Sequence, residues 1–243
     1  MDPNNDIKNL AKTLRLPAFE SYTKYVKPGM AIEEAFIAVM TQECQRRHDA
    51  SVNRRLRAAG LPNGKTINTF KLMPSVPHLK EEHVQTLATC QFMKDKMNVC
   101  ALGGSGTGKT HLMAAVCREA IQLGFTAKFI RVSDLLTMLT EASSEKKLGV
   151  MSNTLLKVDL LALDELGYVS LSIKKAHLLF DVIAKRGEGG SSTFVTSNYE
   201  FSKWKDFLAN DPVLTKALVG KLAGDAILLN MNGEDYRIAS KRV

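Results

Sequence analysis

Residues 103–111 read GGSGTGKTH and directly follow the apolar run NVCAL. Gly103, Gly108, Lys109 and Thr110 stand at the spacing G-x-x-x-x-G-K-T, a phosphate-loop pattern that requires a strand before it and a helix after it. The sequence supplies both, since the segment HLMAAVCREAIQ that follows has helical character. Glycines let backbone N–H groups turn inward around a β-phosphate, and a helix starting near Lys109 adds its positive dipole end. The nucleotide-binding candidates are therefore Gly104, Ser105, Gly106, Thr107, Gly108, Lys109, Thr110 and His111. Lys109 is expected to neutralise the β/γ oxygens of ATP, and the Thr110 hydroxyl to ligate Mg²⁺. A glycine turn that binds nothing leaves the lysine and threonine unexplained.

A second chemical group lies in LLALDE, residues 160–165. Asp164 is expected to hold Mg²⁺, directly or through water, and Glu165 to polarise the attacking water. Adjacent residues on a strand point in different directions, so one can serve the metal and the other the water. The bland alternative makes Glu165 the N-terminal charge of a following helix. The third group is TFVTSN at 193–198, where Asn198 could hydrogen-bond the water or the γ-phosphate. Alone, an Asn at a strand end is ordinary turn chemistry; its place after the acidic strand favours a catalytic role. The catalytic candidates are thus Glu165, Asn198 and Lys109, and the metal candidates Thr110 and Asp164.

These groups need strand tips to carry them. NVCAL, KFIRV, LLALD, TFVTS and AILLNM alternate with longer amphipathic stretches, which predicts a parallel sheet flanked by helices. Upstream, Ile7, Leu10, Leu14, Ile32, Phe36, Ile37 and Met40 recur at helical spacing with Pro28-Gly29 between them, indicating a small helical unit. Residues 61–80 hold three prolines and a glycine and read as a connector. The expected organisation is an N-terminal helical domain over 1–60, a linker over 61–80 and an ATPase domain over 81–243. Phe70, in the connector, is placed either to cover the adenine face or to pack in the core.

The formal charge of +8 suits a polyanionic partner such as nucleic acid, or simply a basic enzyme. Arg46, Arg47, Arg54, Arg55 and Arg57 cluster at the end of the N-terminal unit, with Asp49 as the opposing charge. They are candidate contacts to DNA phosphates, or a solvated basic face. The four cysteines lack C-x-x-C spacing and read as reduced packing residues. No signal-peptide pattern and no membrane-length apolar run is present, so a cytoplasmic protein without a membrane partner is expected.

The order of phosphate loop, DE-ending strand and TSN-ending strand resembles the AAA+ ATPases. NVCALGGSGTGKTHLMAAVCREAIQLG, SDLL at 133–136, LLALDELGY, TSNYEFSKW and GEDYR at 233–237 are similar to the IstB/DnaC-type branch. KTINTFKLMPSVP and LATCQF extend the likeness upstream, and the helical N-terminus with the GEDYR ending favours IstB. The resemblance implies an AAA+ P-loop fold whose five-stranded parallel sheet has the order 5-1-4-3-2, without a C-terminal helical lid. It implies ATP hydrolysis, assembly of a homo-oligomer on double-stranded DNA with ATP at subunit interfaces, and an IstA-type transposase as partner, which the N-terminal unit could contact in place of DNA. It places Tyr236 and Arg237 on the family's tail motif.

Two departures stand out. Gly220-Lys221-Leu222 replaces a DRL-like run whose arginine reaches a neighbour's ATP site, so Lys221 brings a point charge without the planar fork and slow hydrolysis is expected; either Lys221 senses the γ-phosphate electrostatically or Arg237 carries that nucleotide-binding role. A turn with no such role is the alternative for residues 220–225. Gly104-Ser105 replaces two prolines, which affects stiffness more than chemistry. Three other readings remain at this level. A DnaC-like helicase loader would grip single strands by aromatic stacking, with Tyr199, Phe201 and Trp204 as the few candidates. A small-metabolite kinase would need an acceptor pocket and lid. A non-catalytic scaffold would use the ATP site only for stability.

Overall fold

The computed structural model describes residues 3–235; Tyr236 and Arg237 lie outside them. The chain divides into two compact units between Arg54 and Arg55. That division falls inside a helix.

The first unit holds α1 (Pro3–Thr13), α2 (Pro17–Glu20) and most of α3 (Ile32–Ala59). Proline at the start of α2 costs nothing because the first N–H groups of a helix have no intrahelical partner. The apolar residues at helical spacing do not form its core: Leu10, Leu14, Ile32, Phe36, Ile37 and Met40 are exposed, Ile32 by 85%. What is buried is small or polar, chiefly Ala11, Ala18, Val39, Val52 and Glu43. Glu43, 3% exposed, accepts from the Ala18 N–H at 3.0 Å, from Arg47 Nε at 2.8 Å and from Arg46 Nη2 at 3.3 Å. Arg46 and Arg47 are therefore paired with Glu43, while Asp49 accepts from Gln45 at 2.9 Å, a correction to the reading of an arginine cluster opposed only by Asp49. The spacings of three and four residues put these groups on one helix face.

The second unit adds α4 (Glu81–Ala88) and α5 (Gln91–Lys94), then alternates strands and helices: β1 (Asn98–Leu102), α6 (Lys109–Gln122), β2 (Ala127–Arg131), α7 (Val132–Ser144), α8 (Leu148–Leu156), β3 (Leu160–Leu166), α9 (Ile173–Glu188), β4 (Ser192–Ser197), α10 (Trp204–Phe207), α11 (Pro212–Ala223) and β5 (Ala226–Asn230). Every strand pair is parallel and the sheet order is β2-β3-β4-β1-β5, the expected order read from its other edge. Residues 220–223 belong to α11, so the turn reading for that segment does not hold.

Helices cover both faces. Val99, Ala101, Leu160, Ala162 and Phe194 lie on the face packed by α6, whose Leu112, Met113, Val116, Cys117 and Ile121 are all fully buried. Their neighbours Cys100, Leu161, Leu163 and Val195 join the cluster made with α7, α9 and α11. Burial on both faces is why these strands read as continuous apolar runs rather than alternating ones. At the end of the sheet remote from the phosphate loop, Arg186 of α9 is 1% exposed and donates to the carbonyls of Leu155 (2.5 Å), Val158 (3.0 Å) and Ser192 (2.6 Å). It thereby fixes the starts of β3 and β4 against α8. Burial lowers its pKa to about 10 even with Asp159 nearby.

All four cysteines are free thiols; Cys44 on α3 is exposed, while Cys90, Cys100 and Cys117 are buried. Burial pushes the Cys90 and Cys100 thiols up to about 12 and raises that of Cys117 as well. No described helix is long and apolar enough to cross a membrane.

Burial alone would raise the Glu43 pKa, but the bonds from Ala18, Arg47 and Arg46 outweigh it and hold the carboxyl at about 2. A folded value below the ordinary one means that its support is complete above about pH 4.5 and is lost as pH falls toward about 2. Glu43→Ala should cost roughly 1–3 kcal/mol by leaving the Ala18 donor unpaired. In melts followed by circular dichroism, the gap between wild type and Glu43→Ala should close across that acid window.

Candidate functional site

The phosphate loop leaves the C-terminal end of β1 and enters α6 at Lys109, with Gly108 as the residue before the first helical turn at φ +90°. That left-handed conformation, repeated at Gly106 (φ +71°), is available to glycine without strain and directs backbone N–H groups into the loop. Lys109 is 7% exposed, and its ammonium donates to the carbonyls of Gly103 (2.6 Å) and Gly104 (2.5 Å). The Thr107 hydroxyl also donates to Gly104, at 2.9 Å. Burial pulls the Lys109 pKa down to about 8, against the opposing pull of Asp164, Asp235 and Glu165.

The acidic pair sits on a β-bulge. Leu163 pairs with Val195 and Leu166 with Ser197, so Asp164 and Glu165 together oppose Thr196 alone. Glu165 takes φ +62°, a left-handed conformation costly for a non-glycine residue. The bulge is held by its partner: the Glu165 N–H donates to Thr196 Oγ1 at 3.0 Å, and that hydroxyl donates to Asp164 Oδ1 at 2.6 Å. Asp164 is 2% exposed and also accepts from the Thr110 hydroxyl at 2.9 Å. Glu165 is turned instead toward the cavity and pairs with Arg131 Nε at 3.6 Å. It lies well before α9, which begins at Ile173, so it is not a helix N-terminal charge.

Thr110 and Asp164 bring a hydroxyl and a carboxylate into contact beside the phosphate loop. This all-oxygen pair suits Mg²⁺, which takes one or two protein oxygens and fills its octahedron with phosphate and water. No group of three or more His, Cys, Asp or Glu side chains placed to hold a metal exists among the described residues.

Two adjoining cavities meet at the loop. One, about 270 Å³, is lined by Ser105 to His111 together with Lys65, Glu165, Thr196 and Asn198. The other, about 290 Å³, is lined mainly by Phe70, Met73, Gly106, Gly108 and His111. A polar lobe joined to an aromatic one has the form that a phosphorylated nucleoside requires. Phe70 lies over Gly108, where an added β-carbon would meet its ring at 3.2 Å, and stands edge-on to His111 with centroids 5.4 Å apart. The structure thus brings together Lys109, Thr110, Asp164, Glu165, Asn198, His111 and Phe70.

Other candidates lie elsewhere. The Lys221 carbonyl accepts from Asn98, the first residue of β1, whereas the phosphate loop follows the last. At about 3.3 Å per residue, Lys221 is well removed from its own chain's cavities and lines neither. None of the five arginines lines them either. Arg237 lies outside the described residues. Trp204 is fully buried, its indole donating to the Tyr199 carbonyl at 3.1 Å, and it packs on Phe201 and Phe207.

Sequence reading missed Thr196, Arg131, Lys65 and Asp235. Thr196 was visible in TSN, but its role depends on the bulge opposite. Residues 231–235 run from β5 over the phosphate loop: the Met231 N–H donates to Leu102 at 2.7 Å, and Ser75 donates to the Glu234 carbonyl at 3.4 Å. A β-carbon on Gly106 would fall inside the Asp235 carboxylate.

The parallel sheet order, the phosphate loop after β1 and the acid-tipped β3 two strands away define an AAA+ P-loop protein. Two solved structures share this fold: a DnaC helicase loader (TM-score 0.61, 21% identity, 71% of this chain and 98% of that one) and AMPPCP-bound DnaA from Aquifex aeolicus (TM-score 0.59, 20% identity, 70% and 51%). Within that class the chain belongs to the family described as IstB-like ATP binding protein, whose model matches residues 8–243. Its relatives include the ATP-binding protein of insertion sequence IS5376 from Geobacillus stearothermophilus, 34% identical over 88% of this chain and 84% of the relative. That of IS21 from Pseudomonas aeruginosa is 32% identical over 89% and 80%.

Two substitutions separate binding from positioning. Gly106→Ala meets both the positive φ and the Asp235 carboxylate, and in calorimetric titration should weaken ATP binding at least about tenfold. Thr196→Val removes the hydroxyl shared by Asp164 and the Glu165 N–H; nucleotide affinity should change little while phosphate release falls by about tenfold or more.

Proposed function

We propose that this protein is an ATP-dependent DNA-binding transposition helper. In this reading it assembles on double-stranded DNA with ATP held between copies, recruits and stimulates an IstA-type transposase, and comes apart when ATP is hydrolysed. The observation that carries it is the convergence of Lys109, Thr110, Asp164, Glu165 and Asn198 at the strand tips of one cavity, in a chain of the IstB-like family. Membership of that family, with relatives named for insertion sequences, supports the transposition context. The net charge of +8 supports a polyanionic partner.

The chemistry follows from the placement of these groups. Backbone N–H groups of Gly106 to Thr110 bind the β-phosphate, and Lys109 moves from the loop carbonyls to the β/γ oxygens. Thr110 and Asp164 would hold Mg²⁺, which when bound would supply charge neutralisation to the phosphates. Glu165, aimed by the bulge, accepts a proton from water as the water oxygen bonds to the γ-phosphorus and the bond to the bridging oxygen breaks, leaving ADP and inorganic phosphate. Asn198 orients that water or a γ-oxygen. Lys221 would serve the site of another copy, and its single charge in place of arginine's fork would make turnover slow. Arg46, Arg47, Arg54, Arg55 and Arg57 are the DNA-contacting candidates, with Arg46 and Arg47 also paired to Glu43. The burial of Trp204 weighs against a stacking-based grip on single strands.

Electron microscopy and filter binding with duplex DNA test this reading. ATP should strengthen DNA binding, and salt should weaken it with a slope of about 0.9 per neutralised phosphate. Glu165→Gln should keep ATP binding and trap assemblies on DNA, whereas Lys109→Ala should lose both. DNA affinity indifferent to nucleotide and to ionic strength would overturn the proposal.

A further inference from the structure

The connector from Pro62 to Phe70 is fastened to the phosphate-loop helix by side chains on one face of α6. Arg118 donates from Nε to the Lys65 carbonyl at 2.8 Å and from Nη2 to the Pro62 carbonyl at 2.7 Å. His111, about two helical turns earlier, meets the Thr66 carbonyl at 3.1 Å and the Thr69 hydroxyl at 3.2 Å. The turn also closes on itself, with the Thr66 N–H on Thr69 Oγ1 at 3.0 Å and the Thr69 hydroxyl on the Gly64 carbonyl at 2.9 Å. A loop tied at so many points presents its side chains in fixed places.

Two of those side chains reach the nucleotide cavities. Phe70 lines the aromatic lobe, and Lys65 lines the polar lobe with Lys109, Glu165 and Asn198. Lys65 is half-buried, yet among the described residues its ammonium has no hydrogen bond and no ion pair. A half-buried lysine loses side-chain freedom, and no polar partner among the described residues offsets that loss. A magnesium-bound triphosphate carries more negative charge than Lys109 alone balances, and it would occupy this lobe.

We propose that Lys65 is a second phosphate-contacting cation of the nucleotide site, so that the connector grips the nucleotide with Lys65 at the phosphates and Phe70 at the base. This rests on reading the polar lobe as the triphosphate site. Charge-assisted hydrogen bonds to phosphate are strong, so Lys65→Ala and Lys65→Gln should each weaken ATP binding by about tenfold. Lys65→Arg, which keeps the charge and gains a fork suited to phosphate, should stay within about threefold of wild type.

The test uses the full chain, titrated with a fluorescent ATP analogue and footprinted by lysine acylation with mass spectrometry, with and without ATP. Nucleotide should protect Lys65 and Lys109 together and leave Lys216, exposed on α11, unchanged. Protection of Lys109 with none at Lys65, or wild-type affinity in Lys65→Gln, would overturn the role of Lys65 and leave the ATP site standing. Failure of the wild type to bind the analogue or to protect Lys109 would instead remove the ATP-site reading, and this proposal with it.

Discussion

Asp164 is a carboxyl group withdrawn almost completely from water, and a group so placed has to be furnished with donors or a cation. Two threonine hydroxyls meet that need, one from the first turn of α6 and one from β4. The carboxylate is therefore the point at which the phosphate loop, β3 and β4 are referred to one another. Shifting any of the three elements breaks a buried hydrogen bond. The geometry of the candidate site follows from that knot more than from the loop alone, because Thr196 also holds the Glu165 backbone in its unfavourable conformation. Local strain is tolerated where surrounding contacts over-determine it.

The remainder of the second unit keeps this knot in place. Its strands are buried on both faces, so their register is fixed by α6 on one side and by α7, α9 and α11 on the other. Arg186 performs at the far end of the sheet what Asp164 performs at the near end: a buried ionic group linked to several backbone segments. The two groups differ in their partners. Arg186 is satisfied by carbonyls and is complete within the chain, whereas Asp164 contacts a threonine that also faces an open cavity.

Much of this was legible from residue order. Five apolar runs gave five strands, with ends displaced by a residue or two, and the spacing of glycines, lysine and threonine located the loop before α6. The tip residues Asp164, Glu165 and Asn198 were found because parallel strands deliver their C-terminal ends to one edge of the sheet. What escaped notice depended on contacts distant in sequence. The bulge at Asp164-Glu165 is visible only against Thr196, and the grip of Arg118 on the connector spans residues 53 and 56 positions apart. In the first unit the helical periodicity was real, but its apolar residues point to solvent, since periodicity indicates a face without indicating what covers it. The Glu43 pairing with Arg46 and Arg47 lay within one helix and was legible from spacing alone.

The disposition of sulfur has a practical side. Three thiols are enclosed in apolar packing and held far from their reactive anionic form, while Cys44 faces solvent on the long helix of the first unit. The natural sequence therefore offers one accessible handle for a maleimide dye or spin label. Motion of that helix can be followed without first removing any cysteine.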